Sequence, residues 1–166
     1  MFDSDLHDYV LKLDHTAIAT RSVAEALRLY RDLLGGKLRL AGDNPTQGFR
    51  WVQVDFPGGG KIELLEPLSD DGFLARFLDR YGEGVHHLTF KVRRIEEFVT
   101  LLKARGVRVV DENYADPQWK EAFISPRSAH GTIVQVAEST LDDATERELW
   151  GWERMASLVL GDAEGG

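Results

Sequence analysis

Two stretches of the chain, KLDHTAIAT at 12–20 and GVHHLTFKV at 84–92, share one pattern. In each, a histidine enters a run that alternates apolar and polar positions, and a helical period follows. Alternation of this kind predicts a strand, because successive side chains point to opposite faces. In the first stretch Leu11, Leu13, His15 and Ala17 fall on one face and Val10, Thr16 and Ile18 on the other. Ser22 with Glu25 three residues on forms a capping box. A helix is predicted over 23–34, with Val23, Ala26, Leu27, Tyr30, Leu33 and Leu34 at helical spacing and Gly35-Gly36 as its stop. Strands follow at 37–41, 48–56 and 61–67, separated by the turn Asp43-Asn44-Pro45 and by Pro57 with three glycines.

The order then recurs. Strand 84–92 leads to a helix at 95–105, with Ile95, Phe98, Val99 and Leu102 facing inward and Gly106 as its stop, and strands follow at 107–112, 119–124 and 131–137. The chain therefore divides into a first βαβββ module at 9–67, a connector at 68–83, a second βαβββ module at 84–138 and a C-terminal segment at 139–166. In the connector, Phe73, Leu74, Phe77 and Leu78 stripe a short helix. The C-terminal segment predicts one helix over 140–160 with a kink at Gly151, serving as a sheet cap or a dimer contact. Residues 1–8 are expected to fray and 162–166 to form a loose tail.

The duplication also organises the chemistry. His87 lies 72 positions after His15, and Gln135 lies 72 positions after Glu63. In KIELLEP, Ile62 and Leu64 share one face, and Glu63 and Leu65 the other. Gln135 likewise faces away from Val134 and Val136. A carboxylate among apolar neighbours requires a cation or hydrogen-bond donors. His15, Glu63 and His87 offer two imidazoles and a carboxylate, a donor set suited to zinc, iron, manganese, cobalt or nickel, and Gln135 can add an amide oxygen. His86 faces away from His87 and reads as a packed or supporting histidine. His130, in a turn, and His7, near the N-terminus, read as solvated. The glycines at 58–60 read as a hairpin turn, since no helix follows them.

Composition narrows the function classes. The chain has 166 residues and a net charge of −8, with no basic stripe for the phosphate backbone of nucleic acids. It has no cysteine, which excludes disulfides, thiolate metal sites and cysteine nucleophiles. No apolar run is long enough to span a bilayer, and the first residues lack a secretory core. The expectation is a cytoplasmic protein with a small-molecule substrate, and neither nucleic acid nor membrane as partner. Neither a GxGxxG nor a GxxxxGK[ST] motif is present.

The segments DHTAIAT, VAEALRLYRDLLGGKL, KIELLEPL, GEGVHHLTFKV and FISPRSAHGTIVQVAE resemble the vicinal oxygen chelate superfamily, and within it the methylmalonyl-CoA epimerases, with the glyoxalases next. The resemblance covers about residues 12–138. It implies an α+β fold in which paired βαβββ modules form a curled mixed sheet around a divalent metal, and it implies a homodimer. The final helix lies outside it. The implied ligands are His15, Glu63, His87 and Gln135. Most epimerases carry glutamate where Gln135 stands, and that glutamate is one of two acid/base groups. The other precedes a Gln-Gly pair, where this chain has Asn44-Pro45-Thr46-Gln47-Gly48 and no acid. An amide does not exchange a proton near neutral pH. Two replacements are open: Glu121, whose plainer reading is a solvated edge carboxylate, or hydroxide on the metal. Arg127, in the SPRSAHG turn, is a candidate for an anionic substrate group, with a surface arginine as the plainer reading.

The expected activity is that of a metal-dependent isomerase or lyase that stabilises the enediolate of a small carboxylic or acyl-CoA substrate. The rivals are an iron-dependent dioxygenase on the same scaffold and a ligand-binding or resistance protein with a vestigial metal site.

Overall fold

The computed structural model describes residues 4–161; the tail expected at 162–166 lies outside them. Each half has the expected βαβββ order. The first comprises β1 (Val10–Ala19), α1 (Val23–Leu27) with a continuation over Arg28–Leu33, β2 (Lys37–Asn44), β3 (Phe49–Asp55) and β4 (Lys61–Pro67). Helix α2 (Phe73–Tyr81) leads to the second: β5 (Gly84–Val92), α3 (Ile95–Ala104), β6 (Val109–Asn113), β7 (Trp119–Ile124) and β8 (Ile133–Ser139). Helices α4 (Asp143–Trp150) and α5 (Trp152–Leu160) follow. The fold is α+β with a mixed sheet, as expected.

By its contacts the chain forms two compact units. One takes the residues up to Thr16 together with His86–Leu141. Its strands run β5-β8-β7-β6. β5 is parallel to β8, with His87 opposite Ile133 and Thr89 opposite Gln135. β8 and β7 are antiparallel, with Gln135 opposite Phe123 and Ala137 opposite Glu121. The predicted inward stripe of α3, Ile95, Phe98, Val99 and Leu102, packs with Tyr9, Val92, Ala122 and Val136. Of residues 1–8, expected to fray, 1–3 lie outside the described residues, and the rest form a 3-10 turn, Ser4–Tyr9, that ends on buried Tyr9. The Tyr9 ring stacks on Phe98 with centroids 5.5 Å apart, so one aromatic anchor orders the segment.

The other unit holds Ala17–Val85 and the chain from Asp142 onward. Its strands β2, β3 and β4 form an antiparallel meander. Alternation on β4 sends Leu64 to one face, against Val23 and Leu27 of α1 and Val52 and Val54 of β3. Leu65 goes to the other face, against Leu74 and Leu78 of α2. The helix predicted over 23–34 departs from an α-helix after Leu27. Leu34 N–H donates to Leu29 O, five residues back, at 2.9 Å. The wider π turn moves the later residues off the apolar stripe. Leu33 and Leu34 are therefore exposed, at 78% and 55%.

The single C-terminal helix predicted over 140–160 is two helices meeting at Gly151. Asp142 caps the first through the Thr145 N–H at 2.7 Å. Gly151 leaves helical geometry, with φ −56° and ψ 142°. Its backbone forms an antiparallel bridge with Leu40 of β2. Trp150, just before the bridge, meets Trp51 edge to face with ring centroids 6.0 Å apart. Trp152 and Val159, after it, pack with the Val52–Leu64 cluster. Alternation places Trp51 and Val52 on opposite faces of β3. The C-terminal segment therefore clips over the β2 edge, and Arg39 fastens it by bonding Asp55 and, at 3.1 Å, Asp143. Covering an edge strand in this way removes a template for unwanted pairing.

Candidate metal site

His15 and its neighbour Asp14 are both buried in β1. The His15 Nδ1 lies 2.8 Å from Asp14 Oδ2. Because a carboxylate only accepts, the proton sits on Nδ1, and the imidazole presents Nε2 as its second nitrogen. Lys12 Nζ, 3.0 Å from Asp14 Oδ1, holds that carboxylate from outside. The His15 Nε2 lies 3.0 Å from the hydroxyl of Thr89, a fully buried residue on β5.

His87 is also buried, its ring centroid 6.1 Å from that of His15. Its Nδ1 lies 2.8 Å from Nδ1 of His86. The sequence places these two side chains on opposite faces, yet the structure brings their rings together. Burial pushes the His86 pKa down, which favours a neutral imidazole that supports His87 by one hydrogen bond. Asp14 and His86 stand 72 positions apart, like the histidines that follow them. Each histidine is thus steadied by the residue before it.

Gln135, on β8, is buried. Its Oε1 accepts from the Thr89 hydroxyl at 2.7 Å, and its Nε2 donates to Glu121 Oε2 at 2.7 Å. The Trp119 Nε1–H donates to the same Glu121 oxygen at 3.0 Å. Glu121 is 8% exposed, which corrects its plainer reading as a solvated edge carboxylate. The β7/β8 register lays it diagonally across from Gln135, on the same face.

Glu63 is half-buried on β4, directly opposite Gln53 of β3. Gln53 Nε2 donates to Glu63 Oε2 at 3.0 Å. Gln53 is buried, and its Oε1 has no hydrogen-bond partner among the described residues.

His15, Glu63 and His87 are the described residues whose donors suit a metal ion. Two imidazoles and a carboxylate, one imidazole oriented by an acid, are the chemistry of a first-row divalent site. The residues present fit such an ion. Arg127 stands apart from these contacts, exposed in the 125–131 turn with its backbone N–H 3.4 Å from Ser125 Oγ. His130, in the same turn, and His7 are exposed, as expected. The sequence reading missed Asp14, Gln53 and Thr89. Asp14 carried a signal in its spacing to His86, whereas Thr89 and Gln53 are ordinary strand residues until the register is known.

The Glyoxalase/Bleomycin resistance protein/Dioxygenase superfamily model matches residues 14–123. An uncharacterised protein of Bacillus subtilis is 33% identical over 141 residues, which cover 82% of this chain and 99% of that protein. The ethylmalonyl-CoA/methylmalonyl-CoA epimerase of Cereibacter sphaeroides is 30% identical over 131 residues, 76% of this chain and 97% of that one. Among solved structures, methylmalonyl-CoA epimerase from Mycobacterium tuberculosis superimposes with a TM-score of 0.74 at 29% identity, covering 87% of this chain and 97% of its own.

Proposed function

The chain belongs to the Glyoxalase/Bleomycin resistance protein/Dioxygenase superfamily, and from that premise we propose that it is a divalent-metal-dependent epimerase acting beside the carbonyl of a small acyl-CoA. The observation that carries the reading is the buried pair His15 and His87, ring centroids 6.1 Å apart, with Glu63 as the accompanying carboxylate donor. The likeness to epimerases for methylmalonyl-CoA and ethylmalonyl-CoA supports the substrate class.

Epimerisation removes the proton on the α-carbon, spreads the resulting charge onto the neighbouring oxygens and returns a proton to the opposite face. His15, Glu63 and His87, with Gln135 as a fourth ligand, would hold a divalent cation, which would supply positive charge to those oxygens. The protein's own part is orientation and proton movement. Asp14 and His86 fix the two imidazole rings, and Gln53 steadies Glu63. Gln135 is an amide and takes no part in proton exchange. The buried carboxylate beside it is Glu121, 2.7 Å from its Nε2, and Glu121 is the residue assigned to proton transfer.

The test follows solvent deuterium entering the α-carbon of methylmalonyl-CoA with metal-loaded protein. Exchange that disappears in Glu121→Gln and in His87→Ala supports the assignment. Full metal occupancy with no exchange removes it. One rival has an observation of its own: two histidines and a carboxylate are also the donors of non-haem iron oxygenases, and Gln135, an amide, supplies no acid/base at its position. Iron-dependent oxygen uptake in place of deuterium exchange identifies that activity.

A further inference from the structure

The third strand of each repeat carries a side chain that braces the polar residue on the fourth. In the first half the brace is Gln53 and the braced residue is Glu63, 3.0 Å apart. In the second the brace is Glu121 and the braced residue is Gln135, 2.7 Å apart. Each pair is one amide and one carboxylate, with the amide N–H₂ donating to the acid. The roles are inverted between the halves. Where the first half puts its charge on the inner residue and its amide behind, the second puts the amide inside and the charge behind.

Donation of N–H to a carboxylate draws negative charge onto the far oxygen of the same amide, because hydrogen bonds in series polarise one another in a low-dielectric interior. For Gln135 that oxygen is Oε1, the atom that accepts from Thr89 and retains a second lone pair. Both groups bonded to Glu121 Oε2, the Gln135 amide and the Trp119 indole, are donors. The carboxylate is thereby held as an acceptor aimed at the amide. Gln135 and Glu121 are both more than nine-tenths buried, so water does little to screen the effect.

We propose that Glu121 is a positioning residue which, through Gln135, returns to the metal site the negative charge that an amide ligand lacks. Gln135 and Glu121 then act together as one anionic ligand, the charge standing one hydrogen bond behind the donor atom. This rests on the metal-site reading given above and concerns metal binding, separately from any proton transfer by Glu121. Two consequences follow. Removing the charge at 121 weakens the metal. Exchanging the two residues restores the charge to the site and keeps one acid and one amide in the same space.

The experiment measures cobalt(II) and zinc(II) affinity by chelator competition, and the visible spectrum of the cobalt(II) form, for the wild type, Glu121→Gln and the exchange variant Glu121→Gln with Gln135→Glu. The expected result is a loss of roughly 10-fold or more in affinity for Glu121→Gln, the range seen when residues supporting metal ligands are removed, with a shifted cobalt spectrum. The exchange variant is expected within about threefold of the wild type, closer than the single variant's loss. If Glu121→Gln fails to fold, the exchange variant alone carries the comparison, and a large loss of affinity there overturns the inference. Wild-type affinity and an unchanged spectrum in Glu121→Gln also overturn it while leaving the metal site standing. A wild-type protein that binds neither cation overturns both.

Discussion

The Glu66 carboxylate accepts the backbone N–H of Val23 at 2.6 Å, across 43 residues of sequence. Val23 opens α1, so a side chain from the last strand of the first half caps its only helix. The second half repeats the device: Glu138 accepts from the N–H groups of Arg94 and Ile95, each at 3.0 Å, at the start of α3. Both the acids and the capped residues Val23 and Ile95 are 72 positions apart. The first amides of a helix have no partner within it, and an acid there also meets the positive end of the helix dipole. Glu66→Ala and Glu138→Ala are each expected to destabilise the protein by about 1 kcal/mol. Glu138→Ala is expected to have the larger effect because two donors lose their acceptor. Urea unfolding midpoints at neutral pH check both.

Gly151 is fixed by space rather than by backbone angle. A Cβ there meets the Arg147 carbonyl oxygen at 2.4 Å, although its φ of −56° suits any residue. Gly151→Ala is therefore expected to loosen the clip on β2 at a cost of about 1–3 kcal/mol. The measurement is amide hydrogen exchange. Protection should fall in residues 143–160 and along β2, while α3 keeps its protection.

Acid sensitivity is predicted at Glu83. The Arg21 backbone N–H and the Thr20 hydroxyl, each donating at 2.7 Å, hold its carboxyl below the usual range. A group whose pKa is lowered by folding contributes stability above its unfolded value, near 4.5 here, and loses it as pH falls through the folded value. The difference in stability between the wild type and Glu83→Gln is therefore expected to be largest at neutral pH and to shrink below about pH 4.5. Denaturant midpoints of the two proteins at pH 7 and pH 3.5 supply the comparison.

Much of this architecture is legible in the sequence because the chain repeats itself. Equal spacing from His15 to His87 and from Glu63 to Gln135 marks the polar positions before any contact is known. The inward stripe of α3 follows from its period alone. Other features depend on pairings that no local pattern encodes. Glu121 looks like an edge residue until the β7/β8 register sets it beside Gln135. Thr89 passes for an ordinary strand residue until it is found between Gln135 and His15. The exposure of Leu33 and Leu34 follows from a π turn that leaves the apolar spacing intact in the sequence while rotating the residues outward. The kink at Gly151 is foreseeable, but its bridge to Leu40 requires a distant partner.

The proposed function requires His15, Glu63 and His87 to share one cation. Its most direct test is elemental analysis of the protein purified without chelator and then dialysed against cobalt(II), beside His15→Ala, Glu63→Ala and His87→Ala. The prediction is one tightly held divalent ion per chain in the wild type and loss of that ion in all three variants, each still folded by circular dichroism. A wild type that retains no ion, or alanine variants that hold it as tightly as the wild type, would contradict it.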